Sequence, residues 1–521
     1  MPEVQAFVAV LVAVVLLALL AERLRFPQPV ALVIGGLAVG ALPFAPDIEL
    51  DPELIFLVFL PPILYPSAFA FAGEDLRSNL RPIAWLSIGL VLVTIIVVAL
   101  VTHWVTGIPL AACFVLGAIV APTDPVAATA VIRTGGAPER LATIVEGESL
   151  INDASALTAL RIAIGAVGAG SFALGGSLLE FVGVAAGGAA VGTVLALGTV
   201  WVRRTMDDVE LESAIAVLLA YGAFLLAEAI GVSGILATVL AGFVVGRYSS
   251  RIVSAETRVG ALSFWGVARF LAESILFLLV GIAFGQVLDD PAPRGVTELV
   301  LLTLMVAVVT FGVRVLWMFS VPLLAGLWNR GPTRLASEFN ARERLVLGVS
   351  GMRGATSVAA ALTIPVTTGG EPFPERDTLI VLALGTIVAL LVVPALALPA
   401  LLRRLGLTGS SDQLQRGRVV RAQLAEAALN RAGELAARDE IPEPVLDRVR
   451  TRYEWRMRRA GLRDDEDSGT EELLKSYRQL RHELLAVERE RLAELQRSGE
   501  VSGDTLRAIE RDLDLEATRI R

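Results

Sequence analysis

Residues 146–153 read Glu-Gly-Glu-Ser-Leu-Ile-Asn-Asp and combine oxygen-bearing side chains in a pattern that suits a small cation. Ser149 and Asp153 are four residues apart, so on a helix they share one face, beside the neighbouring pair Glu148 and Asn152. Hydroxyl and carboxylate oxygens on one stripe can replace part of the water shell of Na⁺ or Li⁺. The alternative for Asp153 is a structural salt bridge.

A second segment, residues 121–125, reads Ala-Pro-Thr-Asp-Pro and predicts a broken helix. Its two prolines cannot donate backbone hydrogen bonds, which frees carbonyl groups one turn earlier. Within a membrane, free carbonyls are tolerated only beside protein or a wet cavity that satisfies them. Thr123, Asp124 and these carbonyls therefore predict a cation site or a helix-end site. The alternative is a proline kink capped by the same two side chains.

A third segment, residues 348–354, reads Gly-Val-Ser-Gly-Met-Arg-Gly and interrupts another apolar run. We expect Arg353 to supply fixed positive charge near the acids and helix ends. Glu273 lies in a further apolar run, and we expect it to pair with an arginine, for which Arg353, Arg314 and Arg269 are candidates; the alternative is contact with the ion. Asp153, once removed from water, favours its protonated form. Competition between H⁺ and a cation for this carboxylate is enough to couple their fluxes.

The composition of the chain indicates that these residues lie within a membrane protein. The chain has 521 residues, of which 55% are hydrophobic and 19% are charged, and its net charge is −8. Charge is concentrated at one end, because 46 of the 110 residues from Asp412 onward are Asp, Glu, Lys or Arg. The remaining chain contains long apolar runs, and about 20 apolar residues suffice to cross a bilayer. The fold class predicted is an all-α polytopic membrane protein with a soluble helical tail.

Thirteen apolar runs, separated by prolines, glycines and charge clusters, are candidate spans. They cover residues 4–22, 27–44, 53–72, 79–106, 108–132, 140–168, 174–202, 210–230, 232–247, 260–288, 296–328, 343–366 and 378–402. The broken spans five and twelve are seven apart, which predicts inverted repeats of spans 1–6 and 8–13. Matching broken helices in opposed halves point to a transport site at the membrane midplane.

Arginine placement predicts the orientation of these spans. Loops after odd-numbered spans contain fifteen arginines, and loops after even-numbered spans contain two. Because positive loops face the cytoplasm, the N-terminus is expected outside and the tail inside, in a plasma-membrane protein. The predicted domains are a transmembrane domain at 1–405 and a cytoplasmic charged tail at 406–521. In the tail, helices are expected at 413–438, 442–459, 470–497 and 502–518.

Charged residues within spans are candidates for function, because each costs about 2.5–3.5 kcal/mol at mid-membrane unless it faces water or a partner. Glu180, Glu228, Arg161 and Arg314 are expected to be interface, lining or buried ion-pair residues rather than transport residues. Other chemistry is excluded by composition. The single cysteine and two distant histidines leave no disulfide framework and no zinc motif, no nucleotide-binding loop is present, and no basic cluster indicates nucleic acid.

Four motifs together resemble the NhaP/NHE-type sodium/proton antiporters over residues 5–405. They are residues 121–125, residues 147–153, Phe-Leu-Leu-Val-Gly at 277–281 and Gly-Met-Arg-Gly-Ala at 351–355. Two positions depart from the family pattern. Residues 60–66 read Leu-Pro-Pro-Ile-Leu-Tyr-Pro and lack the acid that many relatives have there, and Glu273 stands where prokaryotic relatives often have Asn.

The resemblance implies a thirteen-helix homodimer with two crossed broken helices, whose core moves elevator-fashion against a dimerisation domain. It also implies roles for individual residues. Asp153 resembles the carboxylate that binds the ion and the proton, and Na⁺ would be held by Asp153, Ser149, Glu148 and Thr123. Asp124 belongs to the crossed unwound segment, with Asn152, Arg353 and Glu273 in support.

The predicted function is a secondary antiporter that exchanges Na⁺ or Li⁺ for H⁺, and not an enzyme. The Asn152-Asp153 pair resembles that of electroneutral members, which implies one H⁺ per Na⁺. No cofactor is expected; the expected partners are the ions, the bilayer and a second copy of the chain, and no tail partner is indicated. A K⁺/H⁺ antiporter on the same scaffold is the nearest alternative. A channel, an ion sensor and an intramembrane aspartyl protease using Asp124 and Asp153 are alternatives from other classes.

Overall fold

The computed structural model describes residues 2–24, 26–41, 52–71, 83–169, 174–204, 206, 208–252, 255–289, 295–327, 339–407, 412–437 and 442–461, with isolated positions between 479 and 513. The chain forms two compact units, Met1–Ser410 and Ser411–Arg521. Helices dominate both units.

The first unit contains fifteen helices within the described ranges. They are α1 Pro2–Leu24, α2 Gln28–Gly40, α3 Pro52–Ala70, α4 Trp85–Thr106, α5 Leu110–Val120, α6 Pro125–Thr134, α7 Glu139–Ala169, α8 Leu174–Arg203, α9 Val209–Ala229, α10 Gly234–Ile252, α11 Ala255–Asp289, α12 Val296–Leu327, α13 Ala341–Val349, α14 Ala355–Leu362 and α15 Arg376–Leu405. The first turn and a half of α4, Trp85–Leu90, is π-helical.

Seven stretches of the described helices are long and apolar enough to cross a membrane. They are Trp85–Thr106, Glu139–Ala169, Leu179–Arg203, Glu210–Ala229, Ser263–Gly285, Val296–Ser320 and Arg376–Leu405. Four shorter apolar stretches, Gln28–Gly40, Leu54–Ala70, Leu110–Val120 and Gly234–Ser249, accompany them. The chain is therefore an all-α polytopic membrane protein, and the count of thirteen spans stays a prediction.

Two apolar runs are broken into short helices, and their non-helical stretches meet. The first break separates α5 from α6 at residues 121–124, and the second separates α13 from α14 at residues 350–354. The Asp124 backbone N–H donates to the Met352 carbonyl at 2.7 Å, so the two breaks cross. Because Pro122 and Pro125 remove donors at the first break, its carbonyls are free for side chains from the second.

The helices of the first unit pack in two groups. One group contains α1–α3 and α8–α11, in which α11 packs along α2 and α10 packs between α3 and α8. The other contains α4–α7 and α12–α15, in which α5 packs on α4 and α7, and α12 packs on α15. Helix α7 also contacts α8, α10 and α3, and α14 contacts α11 and α3. Both broken runs therefore belong to the second group and face the first.

A short β-hairpin precedes α15, which the sequence analysis did not predict. Its strands β1 Thr367–Thr368 and β2 Glu371–Pro372 pair antiparallel. The turn consists of Gly369 and Gly370, both with positive φ (61° and 87°). Glycine adopts this left-handed backbone without steric cost, and two such residues suit the tight turn of a hairpin.

The second unit contains two described helices, α16 Asp412–Ala436 and α17 Glu443–Gly461, which pack against each other. They correspond to the helices expected at 413–438 and 442–459. Of the helices expected at 470–497 and 502–518, the structure describes only scattered positions, all of them helical, and the rest lie outside the described residues.

Candidate functional site

The crossing of the two broken runs positions Asp124. Its side chain caps α6, because Oδ1 accepts a hydrogen bond from the Val126 backbone N–H at 2.8 Å. A carboxylate at a helix N-terminus is stabilised by the free N–H groups there. Gly354 lies directly against this carboxylate, and a Cβ at position 354 would collide with it. The glycine thus permits the second broken run to pass over Asp124.

Asp153 lies near the middle of α7 and is 7% exposed. Its Oδ2 accepts a hydrogen bond from the Thr356 hydroxyl, at 2.9 Å, in the first turn of α14. Within the described ranges, no arginine or histidine nitrogen lies within 4.0 Å of this carboxylate. A buried carboxylate without a counter-charge is costly and is stabilised by binding either a proton or a cation.

Thr123 links the first break to α7 through three side chains. Ser149 Oγ donates to the Thr123 carbonyl at 2.5 Å, and Asn152 Nδ2 donates to Thr123 Oγ1 at 2.7 Å. Thr123 Oγ1 donates in turn to Glu148 Oε1 at 3.2 Å. All four side chains are buried, so these bonds fix the first break against the face of α7 that contains Asp153.

Glu148, which was predicted to be a cation ligand, is bound by an arginine in the structure. Arg314 on α12 binds it in a bidentate pair, with Nη2 donating to Oε2 at 2.8 Å and Nη1 donating to Oε1. Both side chains are buried, at 3% exposed for Arg314 and 1% for Glu148. The fork of the guanidinium matches the two carboxylate oxygens, which leaves little capacity for a cation. Glu148 therefore tethers α7 to α12.

Arg353 contacts the backbone rather than a carboxylate. Its Nη1 donates to the Pro122 carbonyl at 2.6 Å and also to the Ala121 carbonyl. These are carbonyls of the first break, which a regular helix would have satisfied internally. The predicted fixed positive charge thus lies at a helix end and satisfies the broken backbone.

A cavity of about 380 Å³ lies between the two helix groups. Among its lining residues are all four of Thr123, Asp124, Ser149 and Asp153, together with Thr356. Glu148, Asn152 and Arg353 are not among them. The lining also includes Arg133 and Glu146, an ion pair at 2.8 Å whose side chains are 58% and 30% exposed. The cavity therefore leads from the exposed end of α6 to the buried Asp153.

Glu273 lines the same cavity from the opposite group. Arg269, one helical turn earlier on α11, donates from Nε to Glu273 Oε1 at 2.6 Å. Of the three arginines considered from sequence, Arg269 is therefore the partner, because the i, i+4 spacing places both groups on one face.

The structure thus brings together Asp153, Asp124, Thr123 and Ser149 around one cavity, with Asn152, Glu148 and Arg353 behind it. Sequence reasoning missed Thr356, the direct partner of Asp153. The available signal was that Thr356 lies in the first turn of α14, directly after the second break. It also missed Arg314 as the partner of Glu148, because 166 residues separate them.

Chemically, the cavity offers carboxylate, hydroxyl and carbonyl oxygens, which are ligands for hard cations. Among the described residues, no group of three or more His, Cys, Asp or Glu side chains is arranged to hold a metal ion. Two of the lining carboxylates, Asp124 and Asp153, have no arginine partner within the described ranges. Asp124 is stabilised by the N-terminus of α6, whereas Asp153 has a described hydrogen bond only from the Thr356 hydroxyl. A monovalent cation or a proton would supply the single positive charge that Asp153 lacks.

Comparisons with known proteins give a consistent result. Residues 9–404 match the family model described as sodium/hydrogen exchanger, transmembrane. The Escherichia coli protein YjcE, described as an uncharacterized Na⁺/H⁺ exchanger, is 32% identical over 94% of this chain and 94% of its own length. A Bacillus pumilus sodium, potassium, lithium and rubidium/H⁺ antiporter is 33% identical over 76% of this chain and 61% of its own.

A solved structure shares the fold. The sodium proton antiporter MjNhaP1 from Methanocaldococcus jannaschii superposes with a TM-score of 0.62 at 22% sequence identity. The match covers 78% of this chain and 99% of that protein.

Proposed function

Because the chain belongs to the sodium/hydrogen exchanger family, whose members are cation/proton antiporters rather than enzymes, we propose that it exchanges Na⁺ or Li⁺ for H⁺ by competition of the two ions for Asp153. The exchange is electroneutral, one H⁺ for one cation. The proton gradient drives it, and no cofactor takes part.

The observation that carries this proposal is the state of Asp153. Its carboxylate is buried beside a cavity, accepts one described hydrogen bond from Thr356, and lacks a described counter-charge. Either H⁺ or a monovalent cation neutralises it, and one excludes the other. Binding of one ion therefore requires release of the other, which couples the two fluxes.

The cation ligands in this proposal are the Asp153 carboxylate and oxygens of Ser149 and Thr123 that line the same cavity. Glu148 is assigned to support, because its oxygens are engaged by Arg314 and it does not line the cavity. Asn152 is neutral and donates to Thr123, so it adds no second exchangeable charge beside Asp153. That neutrality favours a one-to-one stoichiometry.

Alternating access is proposed to arise from movement of the second helix group against the first. The proposed cation ligands lie in the first break and on α7, which belong to one group, and the cavity wall opposite is formed by α3 and α11 of the other. The cavity reaches the exposed Arg133–Glu146 pair, at the end that the arginine distribution assigns to the cytoplasm. This conformation is accordingly inward-facing in the proposed mechanism.

The remaining features of the proposal follow the sequence. The protein lies in the plasma membrane with its N-terminus outside and its helical tail in the cytoplasm, and it functions as a homodimer of thirteen-span protomers with inverted repeats. A transmembrane domain at 1–405 performs the exchange, and the tail at 406–521 is a separate soluble domain.

The test is dissipation of a pH gradient in proteoliposomes when Na⁺, Li⁺ or K⁺ is added. The wild type is expected to respond to Na⁺ and Li⁺, and Asp153→Asn is expected to lose the response, because the isosteric amide cannot exchange H⁺ for a cation. Asp377→Asn is the matched control, since this exposed carboxylate lies on α15 outside the cavity lining. A normal response in Asp153→Asn, or none in folded wild type from about pH 5.5 to about pH 9, which brackets the range in which antiport is expected, would overturn the proposal.

A K⁺/H⁺ antiporter is the second candidate. The observation that favours it is the 33% identity to the Bacillus pumilus protein, whose name includes potassium and rubidium. A response to K⁺ as large as that to Na⁺ in the same vesicles, lost in Asp153→Asn, would establish this broader specificity.

A further inference from the structure

The wall of the cavity opposite Asp153 is held rigidly. Gly36 on α2 and Gly281 on α11 let these helices approach so closely that a Cβ on either glycine would collide with the other backbone. Gln28 Nε2 also donates to Ser274 Oγ at 3.1 Å. Helix α11 is therefore fixed against α2, and Glu273, the residue before Ser274, stays with the first helix group.

This wall presents an arginine to a pathway for cations. Arg269 donates from Nε to Glu273 and from Nη1 to Ser67 Oγ at 3.1 Å, and Ser67 Oγ donates to the Ile63 carbonyl at 2.7 Å. The side chains of Arg269 and Glu273 are only 26% and 20% exposed. Two hydrogen bonds thus hold the positive charge of Arg269 at the cavity surface, and a third fixes Ser67. A fixed positive charge is unexpected there, because it repels the cations that the cavity would admit.

The charges that line the cavity divide into paired and unpaired groups. Four carboxylates line it, Asp124, Glu146, Asp153 and Glu273, with two arginines, Arg133 and Arg269. Arg133 pairs with Glu146, and Arg269 pairs with Glu273. Within the described ranges Asp124 and Asp153 have no arginine partner, yet Arg269 lines the same cavity as both carboxylates.

We propose that the fixed positive charge of Arg269 competes electrostatically with the transported cation for the negative charges of Asp124 and Asp153. Glu273 neutralises Arg269 and keeps its guanidinium group away from these carboxylates. The pair thereby sets the affinity for the cation. This inference rests on the proposed function and adds two residues that determine the affinity of the site without being ligands in it.

The expected size of the effect follows from Coulomb's law. Two unit charges about 10 Å apart, at an effective dielectric constant of about 20, change an equilibrium constant by about tenfold. Removing the positive charge strengthens cation binding. Removing the charge of Glu273 alone leaves Arg269 unneutralised and free to approach Asp153, so it weakens cation binding. Removing both charges leaves the pair neutral, as in the wild type, so cation binding is expected to stay near its original strength.

The experiment measures cation binding separately from transport. The concentration of Na⁺ that gives half-maximal protection against thermal unfolding is determined in detergent, since a ligand stabilises the state that binds it. KM and Vmax for antiport are determined in proteoliposomes. The variants are Arg269→Gln, Glu273→Gln, the double substitution and Arg269→Lys, which keeps the charge. Arg376→Gln is the control, because Arg376 is similarly exposed, at 31%, and does not line the cavity.

Arg269→Gln is expected to lower the half-saturating Na⁺ concentration and KM about tenfold, and Glu273→Gln to raise both about tenfold. The double variant, Arg269→Lys and Arg376→Gln are expected within about threefold of wild type. The inference is overturned if the single variants stay within about twofold of wild type, if both shift the same way, or if no cation protects the wild type.

The outcomes separate this inference from the function it rests on. If the wild type exchanges ions but KM and the binding midpoint do not move in opposite directions in the two single variants, the affinity role fails and the antiporter stands. If the binding midpoints shift as expected while the wild type exchanges nothing, the affinity role stands and the antiporter fails.

Discussion

The two halves of helix α7 differ in what they face, because the first half lines the cavity and the second half contacts the helix group opposite. Its first half contributes Glu146, Ser149 and Asp153 to the cavity. Its second half is joined to the turn between α9 and α10: Thr158 and Ser233 hydroxyls lie 3.3 Å apart, and Arg161 Nη1 donates to Glu228 Oε2 at 2.5 Å. Asp153, in the half that lines the cavity, has no described ion pair, whereas Arg161, in the other half, is paired with Glu228.

Three ion pairs on α7 extend this comparison, because they differ in burial. Arg314–Glu148 is almost completely buried, Arg161–Glu228 is about one-third exposed on both sides, and Arg133 of the pair Arg133–Glu146 is mostly exposed. Glu228 has a second contact, since its Oε1 accepts from the Gly234 backbone N–H at 2.7 Å and caps α10. The energetic weight of each pair is expected to follow its separation from water.

The largest effect is expected for the buried pair. Glu148→Gln leaves Arg314 buried without a counter-charge, which costs about 3–5 kcal/mol when a buried pair is broken. It also weakens the hold of α7 on Thr123. Thermal unfolding of the purified protein in detergent should shift to clearly lower temperature. The control is Glu148→Gln combined with Arg314→Gln, which removes both charges and should recover part of the loss. A variant as stable as wild type would contradict the role of this pair.

An intermediate effect, on transport rather than stability, is expected for the second half of α7. Arg161→Cys combined with Glu228→Cys places two thiols across the contact between the helix groups, and Cys113, the single native cysteine, is buried. A short bifunctional reagent that reduction can cleave should stop antiport when it joins them, and reduction should restore it.

The single cysteine variants treated with the same reagent are the control for this cross-link. Undiminished antiport by fully cross-linked protein would show that the second half of α7 does not move relative to the α9–α10 turn during exchange. That result would contradict the proposed movement of the second helix group against the first.

The smallest effect is expected at the cavity mouth. Arg133→Gln removes the partner of Glu146, but an exposed ion pair contributes about 1 kcal/mol or less and is weakened by salt. Thermal unfolding should therefore change little, and any change should shrink as ionic strength rises. A loss as large as that of Glu148→Gln would mean that burial does not rank the three pairs of α7.

Much of this architecture could be predicted from sequence because its causes are local. Helix α7 was expected at 140–168 and spans Glu139–Ala169, since the run is apolar and lacks proline. The break before α6 follows from Pro122 and Pro125, which remove backbone donors wherever they lie in a helix. The need of Asp153 for a proton, a cation or a partner could likewise be predicted, because a lone carboxylate in an apolar run is costly. The hairpin at 367–372 was missed, since two-residue strands leave no periodic pattern.

What the sequence by itself determined is thus the class of protein, the broken runs and the acids that need compensation. What only the tertiary structure decided is which charge compensates which. Arg314 reaches Glu148 across 166 residues of chain, whereas Glu273 takes Arg269 four residues away, and Asp153 receives only a hydroxyl from Thr356. Hydropathy predicts whether a segment of the chain is removed from water, and it depends only on the residues of that segment. Pairing depends on which side chains approach within a few ångströms, and that is fixed by the packing of the whole bundle.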